Sequence, residues 1–235
     1  MFRRLCRLTL ALSLCFGAVA SAADARSFAR PPGADPVTVV EDMPMPPRVH
    51  PRRLPGMTEQ QRANVKKILA TRRAKNVKAF RDYALRGVYP HNYINNGTLN
   101  IWIDGDGHMC AAATMMWKSG AKSLVRQTQK DNNFIRLADV TDGALLDWIL
   151  LSGLTHSEVI AIQAPMVGMP NRGPEFPEPG TEDWRIAADA ALRASYDVTL
   201  ENLASGRDAS LEAALDALDL RPDLVTKLLR QAKAA

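Results

Sequence analysis

The spacing of apolar residues predicts a helical region that begins at Thr58. Apolar side chains recur at near-helical intervals; they are Val65, Ile68, Leu69, Val77, Phe80 and Ala84. Thr58 and Gln61 have the spacing of a capping box, in which each side chain accepts a hydrogen bond from the other residue's backbone N–H. Polar residues interrupt the apolar stripe at 72–75, so the pattern leaves open one long helix or two consecutive helices.

The clearest strand pattern lies at residues 99–103, which alternate between apolar and polar positions and include β-branched and aromatic side chains. The sequence Asp104-Gly105-Asp106-Gly107 then predicts a tight turn. The stretch after the turn is rich in alanine and methionine, which favours a helix. A β-hairpin over about residues 99–113 is the alternative.

Further helices are predicted at residues 123–131 and 141–152. Apolar side chains cover most of the second of these helices, which predicts that it is central in the fold; they are Leu145, Leu146, Trp148, Ile149 and Leu150. Thr155 and Glu158 form a second capping-box pair, and the helix that they begin ends before Pro165.

Residues 165–180 contain five prolines and three glycines and are predicted to form a long loop. Such a loop is typical of a boundary, so residues 181–235 are a candidate C-terminal helical subdomain. Helices are predicted from Thr181 to Ala204, at 210–218 and from Pro222 onward. The first of these presents small and apolar residues on one expected face; they are Trp184, Ala187, Ala191, Ala194 and Val198.

The first residues have the pattern of a cleavable secretory signal. Three arginines precede an apolar run at residues 8–19, and Ala20-Ser21-Ala22 supplies small residues for cleavage. The run is shorter than the ~20 residues of a membrane-spanning helix, although an uncleaved anchor remains the alternative. We therefore expect residues 1–22 to direct export to the periplasm or the extracellular space. Residues 23–56 are proline-rich, which is typical of a disordered tether.

Together these patterns predict a mainly α-helical domain at residues 57–235, with one short β-strand or β-hairpin, behind a proline-rich tether. The net charge of +5 includes three arginines of the predicted signal, so the mature chain carries about +2. This small charge gives no strong signal for nucleic-acid binding. No stretch after the predicted signal is long and apolar enough for a membrane span. The Ala- and Arg-rich composition suggests a bacterial source.

Charge is distributed unevenly along the chain. Residues 57–87 contain nine basic side chains and two acidic ones, whereas residues 181–235 contain ten acids and seven bases. The opposite signs suggest that the two segments dock. A basic helical segment also suits contact with an anionic surface or polymer, although a solvated outer face has the same composition.

Cys110 is the one cysteine that follows the predicted signal. At the start of a helix its thiol pKa would fall, which favours a nucleophilic thiolate. His108 or His91 is then the candidate base of a cysteine-dependent hydrolase. The alternative is that Cys110 is a buried packing residue, as lone cysteines often are.

Asp104 and Asp106 alternate in the glycine-rich turn and are candidate calcium ligands. An EF-hand is excluded because Trp102 and Ala113 stand where the first and last ligands are required. Aspartates in such turns more often stabilise the turn itself. No other cofactor is predicted.

We therefore expect an exported helical protein that serves as a non-catalytic binding or structural module. The alternative hypothesis is a cysteine-dependent hydrolase that acts through Cys110 on an envelope or extracellular substrate.

Overall fold

A computed structural model of the chain describes residues 56–94, 97–167 and 182–233. The predicted signal, nearly all of the predicted tether, Thr181 and most of the proline-rich loop lie outside these residues. Eight α-helices are described, and all belong to one compact unit. The prediction of a mainly α-helical fold with a small β element is confirmed.

The eight described helices differ widely in length. They are α1 (Glu59–Arg86), α2 (Ala111–Lys118), α3 (Lys122–Asp131), α4 (Gly143–Leu151), α5 (His156–Gln163), α6 (Glu182–Ser205), α7 (Arg207–Asp219) and α8 (Pro222–Lys233). Both predicted capping boxes are formed, with Thr58 at the start of α1 and Thr155 at the start of α5. These beginnings were predictable because the hydrogen bonds that fix them are local.

Helix α1 is one continuous helix of 28 residues, so the alternative of two helices is wrong. The interruption of the apolar stripe at residues 72–75 does not break the helix. One polar residue within this interval and one just after it belong to the buried face of α1. Arg73 and Asn76 are both buried and donate hydrogen bonds to backbone carbonyls of the α4–α5 turn. Satisfied polar groups can thus continue the buried face of a helix.

The β element is smaller than predicted. Strand β1 (Thr98–Leu99) pairs antiparallel with strand β2 (Met166–Val167), and the predicted strand at residues 99–103 does not continue beyond Leu99. Ile103 instead forms an isolated antiparallel bridge with Met109 across the predicted turn. The hairpin contact and the following helix α2 are therefore both present.

Helix α2 is the central helix of the larger core. All of its residues from Ala111 to Met116 are buried. Four aromatic rings pack nearby with centroids 5.2–5.7 Å apart; they are Phe80, Tyr83, Tyr89 and Tyr196. Three of these four ring pairs meet edge to face, an arrangement that the ring quadrupole favours.

Helix α4 is not central, in contrast to the prediction from its apolar surface. Its fully buried residues are Ile149 and Leu151, whereas Leu145, Leu146, Trp148 and Leu150 are only partly buried. One side of α4 packs against α5, α7 and α8. Its other side lines a cleft.

A second, smaller core joins the first half of α1 to α7 and α8. Its buried residues include Val65, Leu69, Leu211, Leu215 and Leu228. Exposed ion pairs border this core. Arg62 lies 2.9 Å from Glu212 and 2.7 Å from Asp216. Lys66 also pairs with Glu212. The expected docking of the basic segment against the acidic segment is confirmed at these contacts.

The expected buried face of α6 is wrong except for Trp184. The buried residues are Trp184, Leu192, Tyr196, Thr199 and Leu203, whereas Val198 and the three predicted alanines are exposed. The larger side chains bury more apolar area than alanine does, so they determine which face packs inward.

Gly153 allows the α4–α5 turn to lie directly against α1. Its φ is +79°, and a Cβ atom there would lie 2.2 Å from the carbonyl oxygen of Leu69. Both the backbone conformation and the close approach therefore require glycine. This contact brings the carbonyl of Gly153 within reach of Arg73.

Within the described ranges, no single helix has both the length and the apolar character of a membrane span. Helices α4 and α5 meet those criteria only when taken together, across a bend of 106°.

Candidate functional site

Cys110 lies in the core and not at an open cleft. Its side chain is fully buried, and the Ala113 N–H donates to its sulfur at 3.4 Å. Cys110 is the N-cap residue of α2, close to the predicted first turn. Burial nevertheless raises the thiol pKa to about 12, in spite of the hydrogen bonds from the start of α2. This environment stabilises the neutral thiol and opposes nucleophilic chemistry.

Neither candidate base is paired with Cys110. His91 Nε2 lies 3.0 Å from Asp189 Oδ1 on α6, and the His91 ring packs beside Tyr93 and Trp184. Burial raises the pKa of Asp189, although His91 opposes that shift. His108 Nδ1 lies 3.0 Å from Asp104 Oδ2 within its own loop. The structure thus engages the two histidines in separate pairs.

The predicted calcium ligands lie together with His108. Ligand atoms of Asp104, Asp106 and His108 are all within 4.8 Å of one another. Asp104 Oδ1, however, accepts the backbone N–H groups of Asp106 at 3.0 Å and of His108 at 2.8 Å, and Oδ2 faces the His108 ring. Calcium requires six to eight oxygen ligands. We assign Asp104 as the residue that closes the turn, since its oxygens already have partners.

A cleft of about 570 Å³ lies between α1, α4 and α8, and the α2–α3 connection closes one end of it. Its volume falls within the roughly 300–1,000 Å³ that small-molecule sites occupy. Apolar side chains contribute much of its wall; they are Ala79, Ala121, Leu124, Ala144, Trp148 and Leu151. Helix α4 is only partly buried because this wall faces the cleft.

Trp148 has a fixed position in the cleft wall. Its indole Nε1 donates to Ser119 Oγ at 3.0 Å, and Ser119 Oγ in turn donates to the Met116 carbonyl at 2.8 Å. This chain ties α4 to the end of α2. One polar edge of the ring is therefore satisfied, and the apolar body of the indole is left to line the cleft.

Four cationic side chains line the same cleft: Arg72 and Lys75 from α1, Lys118 from α2 and Lys227 from α8. In the part of the chain that the structure describes, none of them forms an ion pair. Lys118 acts electrostatically on Asp82, but that carboxylate is paired with Lys78 at 2.7 Å. The cleft therefore concentrates positive charge from three helices.

Arg72 is the most buried of these cations. Its Nη1 donates to the Leu151 carbonyl at 3.1 Å and its Nη2 to Gln231 Oε1 at 3.0 Å. Both acceptors are neutral. Burial lowers the pKa of the Arg72 guanidinium, although an arginine remains charged in any folded protein. A partly buried charge without an opposite charge is energetically unfavourable.

The single carboxylate among the described residues that line the cleft is already paired. Asp147 Oδ1 lies 2.9 Å from an Nη atom of Arg221, which also contacts Asp223 at 3.0 Å. These carboxylates raise the pKa of Arg221, so its charge is held firmly beside Asp147. One carboxylate, itself paired with Arg221, does not balance the four cations of the cleft lining.

Our sequence reasoning missed this cleft as a site. The signal that could have indicated it is the interruption of the α1 stripe at residues 72–75. Where cations interrupt the apolar stripe of a helix, a charged side chain occupies a position that the pattern expects to be buried. The other lining residues come from distant parts of the chain, so their convergence is a tertiary property.

Comparison with known proteins finds no matching protein-family model, no curated protein and no solved structure similar to this chain.

Proposed function

We propose that this chain is an exported, non-catalytic binding protein whose ligand occupies the cleft between α1, α4 and α8. The observation that carries the proposal is the cleft itself. It combines the volume of a small-molecule site with an apolar wall and a few convergent polar groups, the combination typical of ligand pockets.

Among the residues that line the cleft, no nucleophile is hydrogen-bonded to a histidine or carboxylate base. Its lining contains no histidine or cysteine, and Asp147 is paired with Arg221. A nucleophile or general base requires a reactive group with an accessible lone pair. These residues are better suited to hold a ligand than to transform it.

The hydrolase alternative is not carried forward, because the burial and raised pKa of Cys110 oppose it. Contact of residues 57–87 with an anionic surface stays a prediction. Several of the basic side chains of that segment have internal partners. Arg62 and Lys66 pair with acids of α7, and Arg73 pairs with Glu158.

The experiment fills the cleft and measures the binding of a fluorescent probe. Ala144 is exposed and lines the cleft, so Ala144→Trp places a large ring in it. Ala63→Trp is the matched control, because Ala63 is exposed on α1 outside the cleft. The probes are N-phenyl-1-naphthylamine, which is neutral, and 1-anilinonaphthalene-8-sulfonate, which carries a negative charge on a similar ring system.

We expect Ala144→Trp to lower the affinity for at least one probe by about tenfold, which corresponds to a loss of roughly 1.4 kcal/mol of binding free energy. Ala63→Trp is expected to bind both probes as the wild type does. Circular dichroism checks that both variants are folded. If a folded Ala144→Trp variant binds both probes with wild-type affinity, the cleft is not the binding site and the proposal fails.

A further inference from the structure

We infer that the ligand of this cleft is an organic anion, whose charged group meets Arg72 and Lys75 and whose apolar body lies against Trp148. The inference rests on the proposed function, since it names the chemical class that the cleft takes. It is carried by the juxtaposition of unpaired cations with an apolar wall.

The charge argument begins with Arg72. Two other arginines of α1 have acidic partners: Arg62 contacts two carboxylates, and Arg73 contacts both oxygens of Glu158. Arg72 is partly withdrawn from solvent, yet its acceptors are a backbone carbonyl and an amide. A guanidinium presents five donors in a planar fork that matches a carboxylate, sulfonate or phosphate. An anion in the cleft would provide the missing charge.

The neighbouring lysines strengthen this argument. Lys75 lies one turn after Arg72 on α1, and Lys118 and Lys227 approach from two other helices. Like charges gathered in a concave, partly apolar site raise its potential and attract counter-ions. Because Asp147 is held by Arg221, no carboxylate of the lining offsets that potential fully.

The cleft wall determines the rest of the ligand. Trp148, Leu124 and Leu151 present apolar surface beside the cations. A fully hydrated inorganic ion would leave that surface exposed to water, whereas an apolar body would cover it at roughly 25 cal/mol per Å². A cleft volume of about 570 Å³ favours a small molecule over an extended polymer.

The experiment compares anionic and neutral probes on charge-matched variants. The cleft variant is Arg72→Gln/Lys75→Gln. Its control is Lys67→Gln/Arg81→Gln, which removes the same two charges from exposed positions of α1 outside the cleft. Each protein is titrated with 1-anilinonaphthalene-8-sulfonate and with N-phenyl-1-naphthylamine, and urea unfolding confirms that the variants are folded.

We expect the dissociation constant of the sulfonate probe to rise by about tenfold or more in the cleft variant. In the control it should stay within about twofold of the wild-type value. The neutral probe should bind both variants equally. Ala144→Trp should weaken the sulfonate probe as well. Dodecyl phosphate should displace the sulfonate probe at concentrations at which inorganic phosphate does not.

Three outcomes would overturn the inference. If Ala144→Trp blocks the probes but the charge variants leave sulfonate binding unchanged, the cleft binds a ligand that is not an anion, and the proposed function survives. If inorganic phosphate competes as well as dodecyl phosphate, the apolar body is not recognised. If the control and the cleft variant weaken binding equally, the probe reports the overall charge of α1 and not the cleft.

Discussion

Two adjacent arginines of α1 have opposite environments. Arg73 is buried and forms two hydrogen bonds to Glu158, at 2.7 and 2.6 Å, with further bonds to the carbonyls of Gly153 and Leu203. Arg72 faces the cleft and bonds to neutral acceptors. The buried charge of Arg73 is thus fully compensated, whereas that of Arg72 is not.

This difference separates a structural face of α1 from the face that lines the cleft. Glu158 also accepts the Thr155 N–H at 2.8 Å, so the Arg73 pair joins α1 to the capped start of α5. Burial opposes ionisation of Glu158, but the hydrogen bonds from Arg73 and Thr155 outweigh it and lower the pKa of Glu158. No such carboxylate accompanies Arg72 within the described residues. The predictions below test whether the two faces differ in this way.

The largest expected effect concerns Cys110, on the structural side. Because its thiol is fully buried, labelling requires the core to open. We expect a thiol reagent to label the native protein at least about a thousandfold more slowly than the urea-unfolded protein. Labelling at comparable rates in the two states would show that Cys110 is accessible and would reopen the hydrolase hypothesis.

Arg73→Met should cost about 3–5 kcal/mol of unfolding free energy, because it leaves the Glu158 carboxylate buried without its partner. Urea unfolding measures the loss. The double variant Arg73→Met/Glu158→Gln is the control and should recover part of it, since the uncompensated charge is gone. A loss below about 1 kcal/mol in the single variant would contradict the structural role of Arg73.

The lowered pKa of Glu158 predicts a dependence of stability on pH. A carboxyl whose pKa is lower in the folded state stabilises the fold above its unfolded pKa, and that contribution disappears as pH falls through the folded pKa. The stability difference between wild type and Glu158→Gln should therefore shrink from about pH 6 to about pH 3. A difference that stays constant over this range would argue against ionised Glu158 as its source.

Arg62→Gln should have a small effect, about 0–1 kcal/mol, because its pairs with Glu212 and Asp216 are exposed to solvent. The effect should shrink further at high salt, which screens exposed charges. Urea curves at low and high salt provide the measurement. A salt-independent loss of several kcal/mol would show that this part of α1 depends on its charges as strongly as the Arg73 region does.

The helices were predictable where their signals are local. Thr58, Thr155 and Pro222 mark the starts of α1, α5 and α8 in the sequence as they do in the structure. The pairing of β1 with β2 was not predictable, since it joins two-residue strands whose paired residues are 67 and 69 positions apart. Local patterns determine where elements begin, and tertiary contacts determine which of them pair.

Burial was harder to predict than helix position. The apolar surface of α4 suggested a central helix, but part of that surface lines a cleft, as Trp148 does. The break in the α1 stripe suggested a weak point in the helix, but Arg73 packs inward with Glu158 and Arg72 faces the cleft. Hydrophobic periodicity identifies apolar faces and does not distinguish a core from a binding wall.

The difference between Arg72 and Arg73 is tested most directly by Arg72→Gln, for which unfolding free energy and sulfonate-probe affinity are measured on the same preparation. We expect the free energy to stay within about 1 kcal/mol of wild type, because the loss of two hydrogen bonds to neutral acceptors is offset by removal of a partly buried charge. The probe should bind about tenfold more weakly. A variant that loses several kcal/mol of stability and keeps its affinity would contradict the assignment of Arg72 to a ligand.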